Sequence, residues 1–267
     1  ADAVRWQWFS EHREELDDIF DQLVKLRHGM AKKLGFDNYI ELGYRRMSRV
    51  DYGREDVERY RDAVQTEVVP LAQQLLENQA ERLGLSAEEL RHWDEPLYDQ
   101  EGNPRPEQDY DKLLVMAQQM FDDMGYGLDD FFALMRTSDL MDLQIRVGKA
   151  NGGFCTSFDD YGLPYIFANF NGTKGDVEVF THEIGHAFQA YMSREQPLLD
   201  YLWPTYESCE IHSMGLEFLT YPYMERFFGG DAERFRTIHL TQSLLFLPYG
   251  VAVDHFQHRV YAEPDAT

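Results

Sequence analysis

Between Trp6 and Leu34 apolar residues recur at Phe9, Leu16, Ile19, Phe20, Leu23, Leu26 and Met30, close to a helical period, and Gly35 follows as a stop. That spacing predicts an amphipathic helix. A second run with the same period extends from Arg54 to Leu83 through Val57, Tyr60, Val64, Val68, Leu71, Leu75 and Leu76, with Pro70 placed to kink or divide it. A third helix is expected over about Asp109 to Met124. The stretch His92 to Gln108 carries Pro96, Gly102, Pro104 and Pro106 among acidic residues, which reads as a surface loop inside the region.

Between Gly148 and Gly175 the texture changes to glycines, aromatics and short runs such as FCTSF and PYIFANF, which suit strands better than helices. Helical patterning resumes at Asp176, first to about Ser193, then over Thr205 to Phe228 and Ala232 to Tyr261. No repeat of 20–50 residues is present. The expected fold is mainly α, with a small sheet beside the helix that starts near Asp176. Residues 1–267 read as one region in three parts: helical (1–147), small sheet and loops (148–175), and helical again (176–267).

Composition narrows the function. Among 267 residues, 48 Asp and Glu against 25 Lys and Arg give a net charge of −23, which opposes binding to nucleic acid and anionic membranes. With 43% hydrophobic residues the chain is globular rather than disordered. Two cysteines, Cys155 and Cys209, are too few for a disulfide framework and point to the cytoplasm. The longest apolar stretch, around Leu244 to Val253, is interrupted by Pro248 and Gly250 and is far short of the ~20 residues that span a bilayer. The chain opens ADAVRWQWFS and stops at EPDAT, so both ends are expected to be cuts within a longer chain.

The stretch Thr181-His182-Glu183-Ile184-Gly185-His186 contains HExxH inside a predicted helix. Residues four apart share a helix face, so both imidazoles can reach one metal ion, and Glu183 beside them can take a proton from water. Val177, Phe180, Ile184, Phe188 and Tyr191 form an apolar stripe away from the two histidines. Gly185 in mid-helix points either to close passage of another backbone or of substrate, or to plain helix packing. Asp176 reads as the N-cap of this helix.

Catalytic zinc takes three protein ligands, so one is still to be found. Gln189 and Met192 stand where a metzincin has Gly and His, which removes that class. Glu207, Glu210 and Glu217 on the next predicted helix are the candidates, with Glu210 central, 24 residues after His186. His212 lies across that helix and is disfavoured. Cys209 reads as a small buried apolar residue. A helical scaffold with a fortuitous HExxH is the alternative.

The pair HEIGHAFQ and ESCEIHSMGLEF resembles the two zinc motifs of the thimet oligopeptidase and oligoendopeptidase F family, the second reading roughly E-x-x-S-x-x-x-E. GLPYIFANFNGTKGDVEVFTHEIGHAF also resembles that family's run from edge strand through glycine loop into the zinc helix. The resemblance implies a zinc-dependent endopeptidase acting on short peptides. One Zn²⁺ would be held by His182, His186 and Glu210, with Glu183 as general base and acid. It implies supporting roles for Ser213 and Glu217, which could orient a ligand. It also implies an edge strand, Tyr165, Ile166, Phe167, Ala168 and Asn169, along which a peptide could lie. Co²⁺ or Mn²⁺ suit similar ligands.

Family members are about twice as long, and their C-terminal region supplies a His and Tyr cluster that stabilises the oxyanion. HRVYAEPDAT does not match it. His239, His255, His258 and Tyr249 are the nearest stand-ins. The alternative function is therefore a catalytically impaired fragment that binds metal and peptide and needs the remaining segments of its parent chain as partner. Loss of an oxyanion donor commonly costs about 10²–10³ in rate.

Overall fold

A computed structural model describes residues 2–107 and 109–266. Gln108, the last residue of the expected loop, lies outside the described residues, as do Ala1 and Thr267. In chain order the elements are α1 (Asp2–Glu11), α2 (Arg13–Lys33), α3 (Tyr39–Arg46), α4 (Arg54–Ala63), α5 (Val69–Leu83), α6 (Tyr110–Met124), α7 (Leu128–Thr137), β1 (Met141–Gln144), β2 (Phe154–Phe158), β3 (Leu163–Phe170), α8 (Lys174–Ser193), α9 (Tyr206–Leu219), α10 (Glu225–Phe228) and α11 (Ala232–Ala262). The class is the expected one, mainly α with a small three-stranded sheet. No helix among the described residues is long and apolar enough to cross a membrane.

The chain divides into two compact units, one made of the residues up to Ala72 together with those from Leu244, the other of Gln73–Ser243. In the first, the expected helix from Trp6 is interrupted at His12, whose φ of −107° and ψ of 16° leave the helical region. Helix α2 is anchored through Val24 and Ala31, which pack in a cluster with Tyr39, Ile40, Leu42, Tyr44 and Tyr261. Ile19, Leu26 and Met30, on the opposite side of the helix at 100° per residue, are exposed. The predicted apolar stripe of α2 is thus not the face that meets the core. Pro70 does not break its helix. The preceding stretch Val64–Val68 is π-helical and runs directly into α5, whose second residue is Pro70.

The second unit carries the sheet and the HExxH helix. Its core is aromatic: Phe121, Phe131, Phe132, Phe180, Phe227 and Phe228 are all fully buried. Phe180 of α8 meets Phe132 edge-on at 5.5 Å and lies 6.2 Å from Phe121 and 6.3 Å from Phe170. Strand β1 carries no strand signal in the sequence, because its four residues, MDLQ, lack β-branched side chains and fall inside the stretch expected to be helical. Pro222 ends the helix expected over Thr205 to Phe228, giving α9, a 3₁₀ turn at Tyr221–Tyr223, and the short α10.

The strand order is β1-β3-β2, with β1 parallel and β2 antiparallel to β3. Tyr165–Asn169 therefore lie in the central strand, not at an edge. Ile166 and Phe167 pair on both sides, with Met141 and Asp142 of β1 and with Cys155 and Phe154 of β2, so a peptide cannot add there. Ile166, Ala168 and Phe170 point into the core, which a sequence pattern cannot distinguish from an edge strand packed on one face.

Because Phe180 fills the junction of α6, α7, α8 and β3, truncation to Ala should leave a large cavity. Chemical denaturation of Phe180→Ala is expected to show a loss of about 3–5 kcal/mol of stability.

Candidate metal centre

Helix α8 separates its two jobs by face. Val177, Phe180 and Ile184 are fully buried and Phe188 and Tyr191 pack beside them, while His182 and His186 lie one turn apart with their Nε2 atoms 3.1 Å from each other. Helix α9 crosses close by at Gly185. A Cβ there would lie 2.6 Å from Ser213 Cα and 2.7 Å from the His212 carbonyl oxygen, both backbone atoms, so only glycine allows this approach. The passing backbone, one of the readings of Gly185 left open by sequence, is that of α9.

That approach brings in the third donor. Glu210 Oε2 stands 3.1 Å from His182 Nε2 and 3.5 Å from His186 Nε2. The donor atoms of His182, His186 and Glu210 lie within 4.8 Å of one another. Ligands about 2.0–2.2 Å from a tetrahedral ion stand roughly 3.3 Å apart, so these separations suit one ion. Two imidazole nitrogens and a carboxylate oxygen converge there, a donor set that suits a divalent cation. The residues present fit a zinc-like cation. Glu207 and His212 are not part of this donor group.

The donors are held from behind. Glu217 Oε1 lies 2.6 Å from His182 Nδ1, so that nitrogen donates to the carboxylate and Nε2 is the nitrogen turned toward His186 and Glu210. Ser213, fully buried, donates from Oγ to Glu210 Oε2 at 2.9 Å. Burial alone would depress the His182 pKa, but the Glu217 hydrogen bond and charge outweigh it and hold the ring above the usual imidazole range. Burial would raise Glu217, yet donors from His182 and His239 keep it below the usual carboxylate range. Glu210 is likewise held low, Ser213 and the two imidazoles overcoming its desolvation.

Glu183 has the opposite environment. Its carboxyl is raised by burial first, and the charges of Glu210 and Glu217 push the same way against His182 and the Cys155 backbone amide. Its Oε2 is buried without a hydrogen-bond partner. An orphaned carboxylate oxygen beside a metal-ligand cluster is a group ready to exchange a proton.

The glycine loop before β2 forms the adjoining wall. A Cβ on Gly153 would meet Val179 at 3.1 Å and come within 3.9 Å of Glu183 Oε1. Asn169 donates to the carbonyls of Ala150 and Gly152 at 2.9 and 2.8 Å, so it holds this loop rather than a ligand. Tyr165 and Phe167 face away from the core, Phe167 stacking on Phe154 at 5.1 Å. Asp176 is not the N-cap of α8. Thr173 occupies that position, and Asp176, inside the first turn, accepts from the amides of Asn171 and Gly172. Cys209 is only partly buried, with Sγ 3.4 Å from Glu210 Oε1, rather than a core residue.

Of the stand-ins considered for an oxyanion donor, His239 is buried against Glu217, and Tyr249, His255 and His258 belong to the other unit. Sequence reasoning missed that His239 and Tyr221 stand behind Glu217. They are 22 and four residues away, and only the turn at Pro222 brings α11 back onto α9, a path no local period reports.

A converging His-His-Glu centre, its HExxH helix crossed by the helix bearing the third donor, marks the metallopeptidase class. The chain belongs to Peptidase family M3, whose profile matches residues 3–126 and 126–267. Among solved structures it is 49% identical, with a TM-score of 0.93 over 100% of its length, to a protein assigned by name as an oligoendopeptidase F. It is also 49% identical, with a TM-score of 0.92 over 98%, to PZ peptidase A with an inhibitor. A Bacillus anthracis protein given the oligoendopeptidase F name is 47% identical with a TM-score of 0.91 over 98% of this chain. The chain spans about half the length of these relatives, 47%, 46% and 48% respectively. No curated protein matches it significantly.

Alanine favours helix over glycine by about 1 kcal/mol, so Gly185→Ala would stabilise α8 were the crossing unimportant. The clash with the α9 backbone predicts a net loss of about 1–3 kcal/mol in thermal unfolding, together with weaker zinc binding by titration. A stabilised variant with unchanged affinity would show that the helices can part without disturbing the donors.

Proposed function

We propose that this chain carries the metal centre of a zinc-dependent endopeptidase that hydrolyses bonds in short oligopeptides, within a single catalytic region of a longer cytoplasmic protein. The convergence of His182, His186 and Glu210 supports this reading most strongly. The membership in Peptidase family M3 and the likeness to PZ peptidase A and oligoendopeptidase F stand beside it. Zinc, when bound, supplies a Lewis acid that acidifies water and polarises a carbonyl.

The chain's own residues do the rest. His182, His186 and Glu210 hold the ion, Glu217 fixes the tautomer of His182, and Ser213 fixes the carboxylate of Glu210. Glu183 accepts a proton at Oε2 as water attacks the scissile carbonyl and hands it to the leaving amine. Burial, which favours the neutral carboxyl, suits the second step, in which Glu183 carries the proton. Peptide adds by backbone hydrogen bonds to the outer edge of β2, Phe154–Phe158, which leads from the glycine loop past Glu183. The central strand Tyr165–Asn169 supports β2 from behind.

The half-length coverage favours a second reading, in which the chain binds metal and peptide yet turns over slowly without its remaining segments. The test is hydrolysis of a quenched fluorogenic peptide by the purified chain with zinc, with a chelator, and as Glu183→Gln. Chelator-sensitive turnover should fall by about 10²–10⁴ in Glu183→Gln, with metal content unchanged. Full activity in that variant would overturn the mechanism. Zinc and peptide binding without turnover would select the second reading.

A further inference from the structure

Glu217 uses both carboxylate oxygens. Oε1 receives His182 Nδ1–H, and Oε2 receives Nε2–H of His239 on α11. His239 is 6% exposed, and its ring is flanked by Phe235 in a stack at 5.9 Å and by Phe218 edge-on at 5.1 Å. Its remaining nitrogen, Nδ1, lies 2.6 Å from the Tyr221 hydroxyl, which donates to it. Tyr221 is fixed in turn by Arg236, whose guanidinium donates to the Tyr221 carbonyl at 3.0 Å. A continuous line of hydrogen bonds therefore runs from Tyr221 through His239 and Glu217 to a ligand-bearing imidazole.

A carboxylate with one partner can rotate about its last bond. With donors on both oxygens its plane is fixed. Glu217 then presents Oε1 to His182 in one direction only, which fixes the direction of the His182 Nε2 lone pair. Such supporting contacts set the orientation and basicity of a ligating histidine and weigh heavily in affinity. We propose that His239, held by Tyr221, is a positioning residue for His182 that sets metal affinity through Glu217. The proposal rests on the reading of His182, His186 and Glu210 as metal ligands.

The two nitrogens of His239 can be tested separately. Glutamine places its amide nitrogen near the position of Nε2 and retains the donor to Glu217, whereas asparagine places its amide near Nδ1 and loses that donor. Zinc affinity is measured on the whole chain by competition with a chromogenic chelator, alongside thermal unfolding of the metal-free proteins. His239→Asn should bind zinc about 10–100-fold more weakly, and His239→Gln should stay near wild type. A merely structural role for His239 would lower the unfolding temperature without this split. Equal affinities for the two variants, both normal or both weak, would overturn the proposal. If Glu210→Ala binds as tightly as wild type, or wild type binds no zinc, the ligand assignment itself fails, and the positioning role with it.

Discussion

The close passage of α8 and α9 at Gly185 is the constraint on which the site depends. HExxH by itself places only two imidazoles on one helix face. The carboxylate that completes the group comes from a second helix, and it reaches the histidines only because no side chain separates Gly185 from the backbone at His212 and Ser213. The same crossing sets Ser213 against Glu210 and Glu217 against His182. One missing Cβ thus accounts for the third donor and for the two contacts that hold the donors in place.

Three carboxylates in this small volume have different protonation behaviour, and the difference lies in their donors rather than in their burial. Desolvation acts on all three in the same direction. Glu210 and Glu217 each receive hydrogen bonds from neutral or positive groups, which more than offset it and keep both anionic. Glu183 has a buried oxygen with no donor, and its nearest carboxylates repel a second negative charge. A centre that, as proposed, holds a cation and also moves a proton needs this asymmetry, because an anionic ligand that readily took up protons would release its ion.

Much of the centre was legible in the sequence, and what was legible shares a cause. HExxH, the apolar stripe of α8 and the order Glu210, Ser213, Glu217 are local periodic features of single helices, and side chains three and four apart on a helix have fixed relations. The mainly helical class followed for the same reason. Strand order did not follow. FCTSF and LPYIFANF each carry the pattern of a strand, but whether a strand is central is decided by its partners, and β1 has too few residues and too little β character to announce itself. The apolar residues of α2 gave the right element and the wrong face, since Val24 and Ala31, small and sparse in the pattern, make the packing. His239 was visible only as one histidine among several.

The His182, His186, Glu210 group and Glu183 are contacted by different parts of the structure. The helix crossing brings the three donors together, and the loop between β1 and β2 adds to the surroundings of Glu183. Lys149 in that loop is almost wholly buried, its side chain 1% exposed, with its ammonium on Asp142 Oδ1 at 3.0 Å, on the carbonyls of Asp142 and Gln144 at 2.9 Å each, and 4.4 Å above the Phe167 ring. A buried ammonium surrounded by oxygens of β1 ties the loop down in one conformation, because leaving any of those contacts unmade would strand a charge. Gly152, at a φ of +104°, then turns the chain so that Gly153 passes beside Glu183 and the Cys155 amide reaches its carboxyl. The sheet therefore contributes one wall and one backbone donor to Glu183, beside burial and the charges of His182, Glu210 and Glu217 on the helices. On the proposed reading, a change in the loop acts on Glu183 through that wall and donor alone, whereas a change at the crossing acts on the three donors and, through Glu210 and Glu217, on Glu183 as well.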